Sequence, residues 1–167
     1  NAELTAMFDT MQSRVQNIKK TAKSKDRDKK LLAEYGGVPP WDQVKVEFLK
    51  PALEAGMADQ LAAIDRIAND PATPTFANTI AALERSSRML DRVYTVAGVY
   101  QSTMSDEAVQ AVERDMAPKL AAFSDQITQN EKLFARIAAV YATRENSGLT
   151  PEQQRLTWLY YTDFVRQ

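Results

Sequence analysis

Apolar residues recur along most of this chain at intervals of three and four, the spacing that lines one face of an α-helix. Leu4, Met7, Phe8, Met11, Val15 and Ile18 form the first such stripe. Leu53, Met57, Leu61, Ile64 and Ala68 form a second, in a helix expected to begin near Pro51, because proline is tolerated in a first turn where its missing N–H has no partner. Phe76, Ile80, Leu83, Leu90, Val93, Ala97 and Tyr100 mark a long helix from about Phe76 to about Ser102, with Ser87 in the one gap and Thr75 as N-cap. Val109, Val112, Met116, Leu120, Phe123 and Ile127 define the next, capped by Ser105 or Asp106. Its interior Pro118 removes a hydrogen bond and predicts a kink or break. Asn130 caps a shorter helix carrying Leu133, Phe134, Ile137, Val140 and Tyr141, and Gly148 ends the pattern. Thr150-Pro151-Glu152-Gln153 is a strong helix start, with Leu156, Leu159, Tyr160 and Phe164 expected inside. No useful alternating strand pattern occurs. The expected fold is all-α: antiparallel helical hairpins or a bundle of about five to six helices.

Between the first two stripes the chain changes character. From Arg14 to Lys30 there are eight basic and two acidic residues, a local charge of +6, whereas Leu31 to Gln167 carries 13 basic and 18 acidic residues. This places a boundary near residue 30: an amphipathic helix and basic linker over 1–30, a helical domain over 31–167. Asn1 and Ala2 fit a remnant of tag removal and are set aside. The loop Tyr35-Gly36-Gly37-Val38-Pro39-Pro40-Trp41-Asp42 combines two glycines with two prolines and cannot be helical. At the other end, no glycine, asparagine or proline stops the last helix before Gln167, so it reads as cut rather than finished.

Composition narrows the chemistry sharply. The 167 residues include no histidine and no cysteine. Catalytic zinc sites nearly always include histidine, and thiol nucleophiles, Ser–His pairs and disulfides are excluded outright. Neither phosphate-loop motif is present. The net charge of −1 gives no strong pull toward nucleic acid or anionic membrane, and no apolar run is long enough to span a bilayer. The basic run Lys19–Lys30 has few interleaved aromatics and is broken by Asp26 and Asp28, so a solvated linker is the better reading than a nucleic-acid site. Glu113 with Asp115 and Asp59 with Asp65 have spacings that do not bring carboxylates together on a helix. Trp158, Tyr160 and Tyr161 are read as core in preference to a binding surface. No catalytic, cofactor-binding or metal residue is identified.

From Tyr35 onward the order of short blocks resembles the opening of bacterial peptidyl-dipeptidases of the thimet oligopeptidase family. The blocks are Tyr35–Asp42, Phe48-Leu49-Lys50-Pro51-Ala52-Leu53-Glu54-Ala55-Gly56-Met57, Pro74-Thr75-Phe76-Ala77-Asn78-Thr79-Ile80 through Ala82-Leu83-Glu84-Arg85-Ser86, Met116–Leu120, Asn130–Phe134 and Leu149–Leu156. Coverage is about residues 31–167. The resemblance implies an all-helical clamshell zinc peptidase of which this chain is the non-catalytic N-terminal module, forming one wall of a channel for short peptides. The family's His-Glu-x-x-His helix and later glutamate are absent, so the zinc is expected in a C-terminal catalytic part, which would be the partner of this chain. Short peptides would be substrates of the whole enzyme; no nucleic-acid or membrane partner is implied. The compartment would be cytoplasmic or periplasmic, the cytoplasm being favoured. The alternative is a free-standing helical interaction module, with an exposed apolar patch on its last helix.

Overall fold

The computed structural model describes residues 44–166. The readings for residues 1–30 and for the loop Tyr35–Asp42 lie outside the described residues. Six α-helices follow in order: α1 Val46–Ala68, α2 Ala81–Ser86, α3 Arg88–Thr103, α4 Glu107–Thr128, α5 Glu131–Thr143 and α6 Pro151–Val165, with a single π-helical turn, Phe76–Ile80, leading directly into α2. No strand occurs among the described residues, and the all-α expectation holds.

Capping fixes most of the boundaries. The Thr75 hydroxyl accepts from the Asn78 amide at 3.2 Å while the Asn78 side chain accepts from the Thr75 amide at 2.7 Å. Thr150 and Gln153 make the same reciprocal pair at 3.3 and 3.0 Å. Asp106, rather than Ser105, caps α4 by accepting from the Val109 amide, and Asn130 caps α5 by accepting from the Leu133 amide, both at 2.9 Å. Each cap satisfies an amide that the helix itself leaves open. Gly148, at φ 69°, supplies the left-handed turn between α5 and α6.

Two boundaries differ from the sequence expectation. Helix α1 begins at Val46, so Pro51 lies beyond the first turn. Helix α4 runs continuously through Pro118, so that proline does not break it. The reason is the same in both cases. The carbonyls deprived of their amide partner belong to Glu47 and Arg114, four residues earlier. Both residues are exposed, a setting in which solvent can donate to the open carbonyl. The long helix expected from Phe76 is instead three segments, interrupted at Ser87. There the hydroxyls of Ser86 and Ser87 donate to the carbonyls of Leu83 and Glu84 at 2.7 and 3.4 Å, and Ser87 also donates to the Asp91 carboxylate at 2.7 Å. Adjacent serines drawing on backbone carbonyls are a known cause of helix bends.

Among the described residues, packing is organised around the following two apolar clusters. The first joins Ile64, Ile67 and Ala68 of α1 to Ile80, Leu83, Leu133, Ile137 and Val140, with Leu156, Tyr160, Tyr161 and Phe164 of α6 against it. The second joins Leu53 of α1 to Leu90 of α3 and Met116 of α4, flanked by Met57, Val93, Val112, Leu120 and Phe123. Full burial of side chains such as Ile80, Leu133 and Ile137 stabilises the fold by roughly 1.5–3 kcal/mol each. Helices α1 and α3 approach closely at Gly56, where an added Cβ would lie 3.2 Å from the Leu90 Cα. On the surface, Lys50 meets Asp115 at 2.6 Å and Glu54 meets Lys119 one turn later. Two pairs offset by four residues in the same sense mean that α1 and α4 run parallel, as two successive reversals of the chain require.

Candidate functional site

The chemistry available begins with what each polar side chain already does. Asp115 is held by Lys50, whose hydrogen bond and charge lower its carboxyl below the usual range, while the same bond raises Lys50. Asp65 accepts from the Asn69 side chain at 2.8 Å. Asp59 lies exposed on α1, and Glu113 is half-buried on α4. The structure therefore gives Asp115 and Asp65 separate local partners. Among the described residues, no group of three or more histidine, cysteine, aspartate or glutamate side chains could hold a metal ion. The chain's donor set does not fit a catalytic zinc, because it contains neither imidazole nor thiolate anywhere.

Among the described residues, two clefts stand out. The first, of about 280 Å³, lies where the end of α1 faces α2 and is lined by Arg66, Ile67, Asp70, Asn78, Arg85 and Ser86, with Ala63 and Ala82. Arg85 is tied across it to the Ala77 carbonyl at 3.2 Å, and Asn78 donates to the Thr73 carbonyl at 3.0 Å. The second, of about 480 Å³, runs between Pro74–Ala77 and the end of α5 with the start of α6, over Val140, Thr143, Ser147, Leu149 and Gln153. In the first, which holds both Asp70 and Ser86, the Asp70 carboxylate accepts from the Ala72 amide at 2.9 Å and the Ser86 hydroxyl donates to the Leu83 carbonyl at 2.7 Å, so each already has a local partner.

The most strongly placed polar residue is one that the periodicity does not single out. Arg136 on α5 is only 7% exposed. Its guanidinium donates to the carbonyls of Asp70 and Ala72 at 2.6 and 2.9 Å, and a longer contact of 3.5 Å reaches the Asp70 carboxylate. Its Nε has no partner. The arginine thus clips the loop between α1 and the π-helical turn onto α5. A signal existed in the sequence: Arg136 stands three residues after Leu133 and four before Val140, inside the apolar stripe, where a charge needs partners to be buried.

The aromatic residues of α6 divide. Tyr161 and Phe164 are inside, as expected. Tyr161 stacks on Tyr141 with centroids 4.0 Å apart, and Phe134 lies 5.8 Å from Tyr161 and 6.0 Å from Phe164. The Arg144 guanidinium closes this column, 3.9 Å from the Tyr141 ring centre. Tyr160 is packed against the first cluster and donates to the Glu84 carboxylate at 2.7 Å. Burial, and then the Glu84 carboxylate, push its phenol far above the usual range. Trp158 departs from the core reading and is 42% exposed, and Leu159, expected inside, is 39% exposed. Leu159 lies roughly opposite Thr157 around α6, whereas Trp158 lies on the flank, about 100° from Thr157. No helix of the described residues is long and apolar enough to cross a membrane.

Sequence comparison completes the site description. Over 127 residues, 76% of its length, the chain is 35% identical to a dipeptidyl carboxypeptidase of Salmonella typhimurium, and it shows the same identity over the same length to a dipeptidyl carboxypeptidase of Escherichia coli. It spans 19% of the length of each of these relatives. No family model matches the chain.

Proposed function

We propose that this chain is the non-catalytic N-terminal helical module of a zinc-dependent peptidyl-dipeptidase or oligopeptidase of the thimet oligopeptidase family, and forms part of the wall of its channel for short peptides. The observation that carries this reading is the 35% identity over 127 residues to two dipeptidyl carboxypeptidases, in a chain that has none of the imidazole or thiolate ligands a catalytic zinc takes. The zinc and the residues that act on the peptide bond are then assigned to a C-terminal catalytic part, the partner of this module. A rigid wall suits the fold: α1 is shared by both apolar clusters, and the loop facing α5 is clipped by Arg136. Rigid walls of packed helices restrict what reaches a channel and hold it in place.

The test is to sequence the source gene beyond the codon for Gln167. A frame continuing to a His-Glu-x-x-His helix is the expected result, together with zinc-dependent release of dipeptides by the full product. The 167-residue chain should neither retain stoichiometric zinc nor cleave a fluorogenic peptide. Chelator-sensitive turnover by this chain alone would refute the reading. The second reading, a free-standing helical interaction module, is favoured by the exposed Trp158, and a stop codon after Gln167 would put it first.

A further inference from the structure

Two tyrosines stand face to face across the seam between α5 and α6. The rings of Tyr141 and Tyr161 have centres 4.0 Å apart and planes 4° from parallel. Aromatic pairs in proteins usually sit about 4.5–7 Å apart, offset or edge to face. The close approach has a visible cause. The Arg144 guanidinium lies 3.9 Å from the Tyr141 ring centre. A cation and a parallel ring that near one centre must take opposite faces, so Tyr141 is sandwiched between Arg144 and Tyr161. Arg144 is itself anchored, donating to the Tyr141 carbonyl at 2.9 Å and to the Glu145 carboxylate at 2.8 Å. Phe134 stacks 5.8 Å from Tyr161 and steadies that ring. Both tyrosines are half-buried, so a small reagent reaches them. Tyr160 is placed differently: its hydroxyl is tied to Glu84, whereas among the described residues Tyr141 and Tyr161 have no hydroxyl partner.

We propose that Tyr141 and Tyr161 form an oxidative modification site, joined as dityrosine by small diffusible one-electron oxidants. Each phenol gives one electron to the oxidant and its proton to water. The two phenoxyl radicals carry spin on the ring carbons beside oxygen, the Cε atoms. A C–C bond forms between one Cε of each ring, and the hydrogen on each of those carbons then moves through solvent to the phenol oxygen. The net change is the loss of two hydrogen atoms, as two protons to water and two electrons to the oxidant. Radicals generated in ring contact couple where separated ones are quenched, because the encounter is already made. The product ties α5 to α6 and closes the segment 141–161, which carries the Gly148 turn. A covalent tie of this kind restricts the unfolded chain as a disulfide does. In a chain without cysteine no disulfide can take that part.

The test is brief illumination of the 167-residue chain with ruthenium tris-bipyridyl and persulfate, which takes up both electrons as it becomes sulfate, followed by tryptic mass mapping. Tyr141 falls in the fragment 137–144 and Tyr161 in 156–166. The link therefore appears as one joined peptide, lighter than the sum of the two by two hydrogen atoms, with the blue fluorescence of dityrosine. Fragmentation distinguishes Tyr161 from Tyr160. The joined peptide is expected from the monomer band of a denaturing gel, at a yield that dilution does not change. It should be lost in Tyr141→Phe, in Tyr161→Phe and in urea, and retained in Tyr160→Phe. Phenylalanine keeps the ring and its stacking, and an unchanged circular dichroism spectrum shows that loss of the link is not loss of the fold. Equal yield in urea, a link that survives Tyr161→Phe, a link found only between two copies, or oxidation of methionine and Trp158 with no joined peptide would each overturn the proposal.

Discussion

Replacing Arg136 by methionine should be among the most damaging single changes in the described part of this protein, and the reason lies in backbone acceptors rather than in an ion pair. Methionine keeps much of the length and apolar volume of the arginine stem but donates no hydrogen bond. Two short bonds disappear, to the carbonyls of Asp70 and Ala72. A hydrogen bond involving a charged group is worth roughly 1.5–3 kcal/mol, and buried acceptors left unpaired cost about 1–3 kcal/mol each. Ala72 is exposed and Asp70 half-buried, so water partly replaces the lost donor. The loss then falls near the lower bounds, about 2–4 kcal/mol. Replacement of a buried ion pair by apolar residues is often neutral, but only when both partners go. Here the acceptors are main-chain oxygens that no substitution removes.

The assay is urea unfolding followed by far-UV circular dichroism. With a slope of about 1–3 kcal/mol/M for a small protein, the midpoint should fall by roughly 1–2 M at unchanged slope. Asp70→Asn is the control. The carboxylate contact is long, at 3.5 Å, and the Asp70 oxygen that accepts from the Ala72 amide at 2.9 Å survives as an amide oxygen. Its cost should stay below about 1 kcal/mol, in the range of weakly coupled ion pairs. If Arg136→Met shifts stability by less than about 0.5 kcal/mol, or if Asp70→Asn costs as much as Arg136→Met, the carbonyl-clip argument is wrong.

Gly56→Leu should destabilise by about 1–3 kcal/mol or more in the same unfolding assay, because the side chain would have to enter space held by Leu90, while Gly98→Ala, with nothing within 4 Å of the new methyl, should gain roughly 0.5–1 kcal/mol. Thr150→Ala should cost about 1 kcal/mol by removing one half of the reciprocal cap on α6, and amide exchange of Gln153 should rise with it. The Tyr160 phenol is raised in the folded state relative to its unfolded value of roughly 10, so its contribution is complete below that pH and declines as pH rises above it. Tyr160→Phe should therefore flatten the fall in stability between pH 9 and 11; an unchanged alkaline slope would show that the Glu84 contact and burial do not act on this group.

How much of this was legible before the fold was known depended on the range of each interaction. The caps at Thr75, Asp106, Asn130 and Thr150 are satisfied within three residues, so their sequence signals were sufficient. The apolar stripes identified most buried positions because a helix face has a fixed period. The exceptions are tertiary. Pro118 does not break α4 because it faces solvent, which local sequence does not state. Arg136 is buried because a loop more than sixty residues away supplies its acceptors. Trp158 and Leu159 are exposed although their neighbours Thr157 and Tyr160 are not, since α6 meets the rest of the unit along one side only. The candidate site was legible mainly by exclusion, through a composition that lacks histidine and cysteine.

The two apolar clusters give the interruption at Ser87 a physical meaning. Leu83 belongs to the first cluster and Leu90 to the second, and the serines stand between them. Helix α2 follows the π-helical turn into the first cluster, while α3 settles against Gly56 and Leu53 in the second. Helix α1, 23 residues long, crosses both clusters without interruption and so serves as the common beam. The Arg136 clip ties the loop after that beam to α5, and the aromatic column of Phe134, Tyr141, Tyr161 and Phe164 joins α5 to α6.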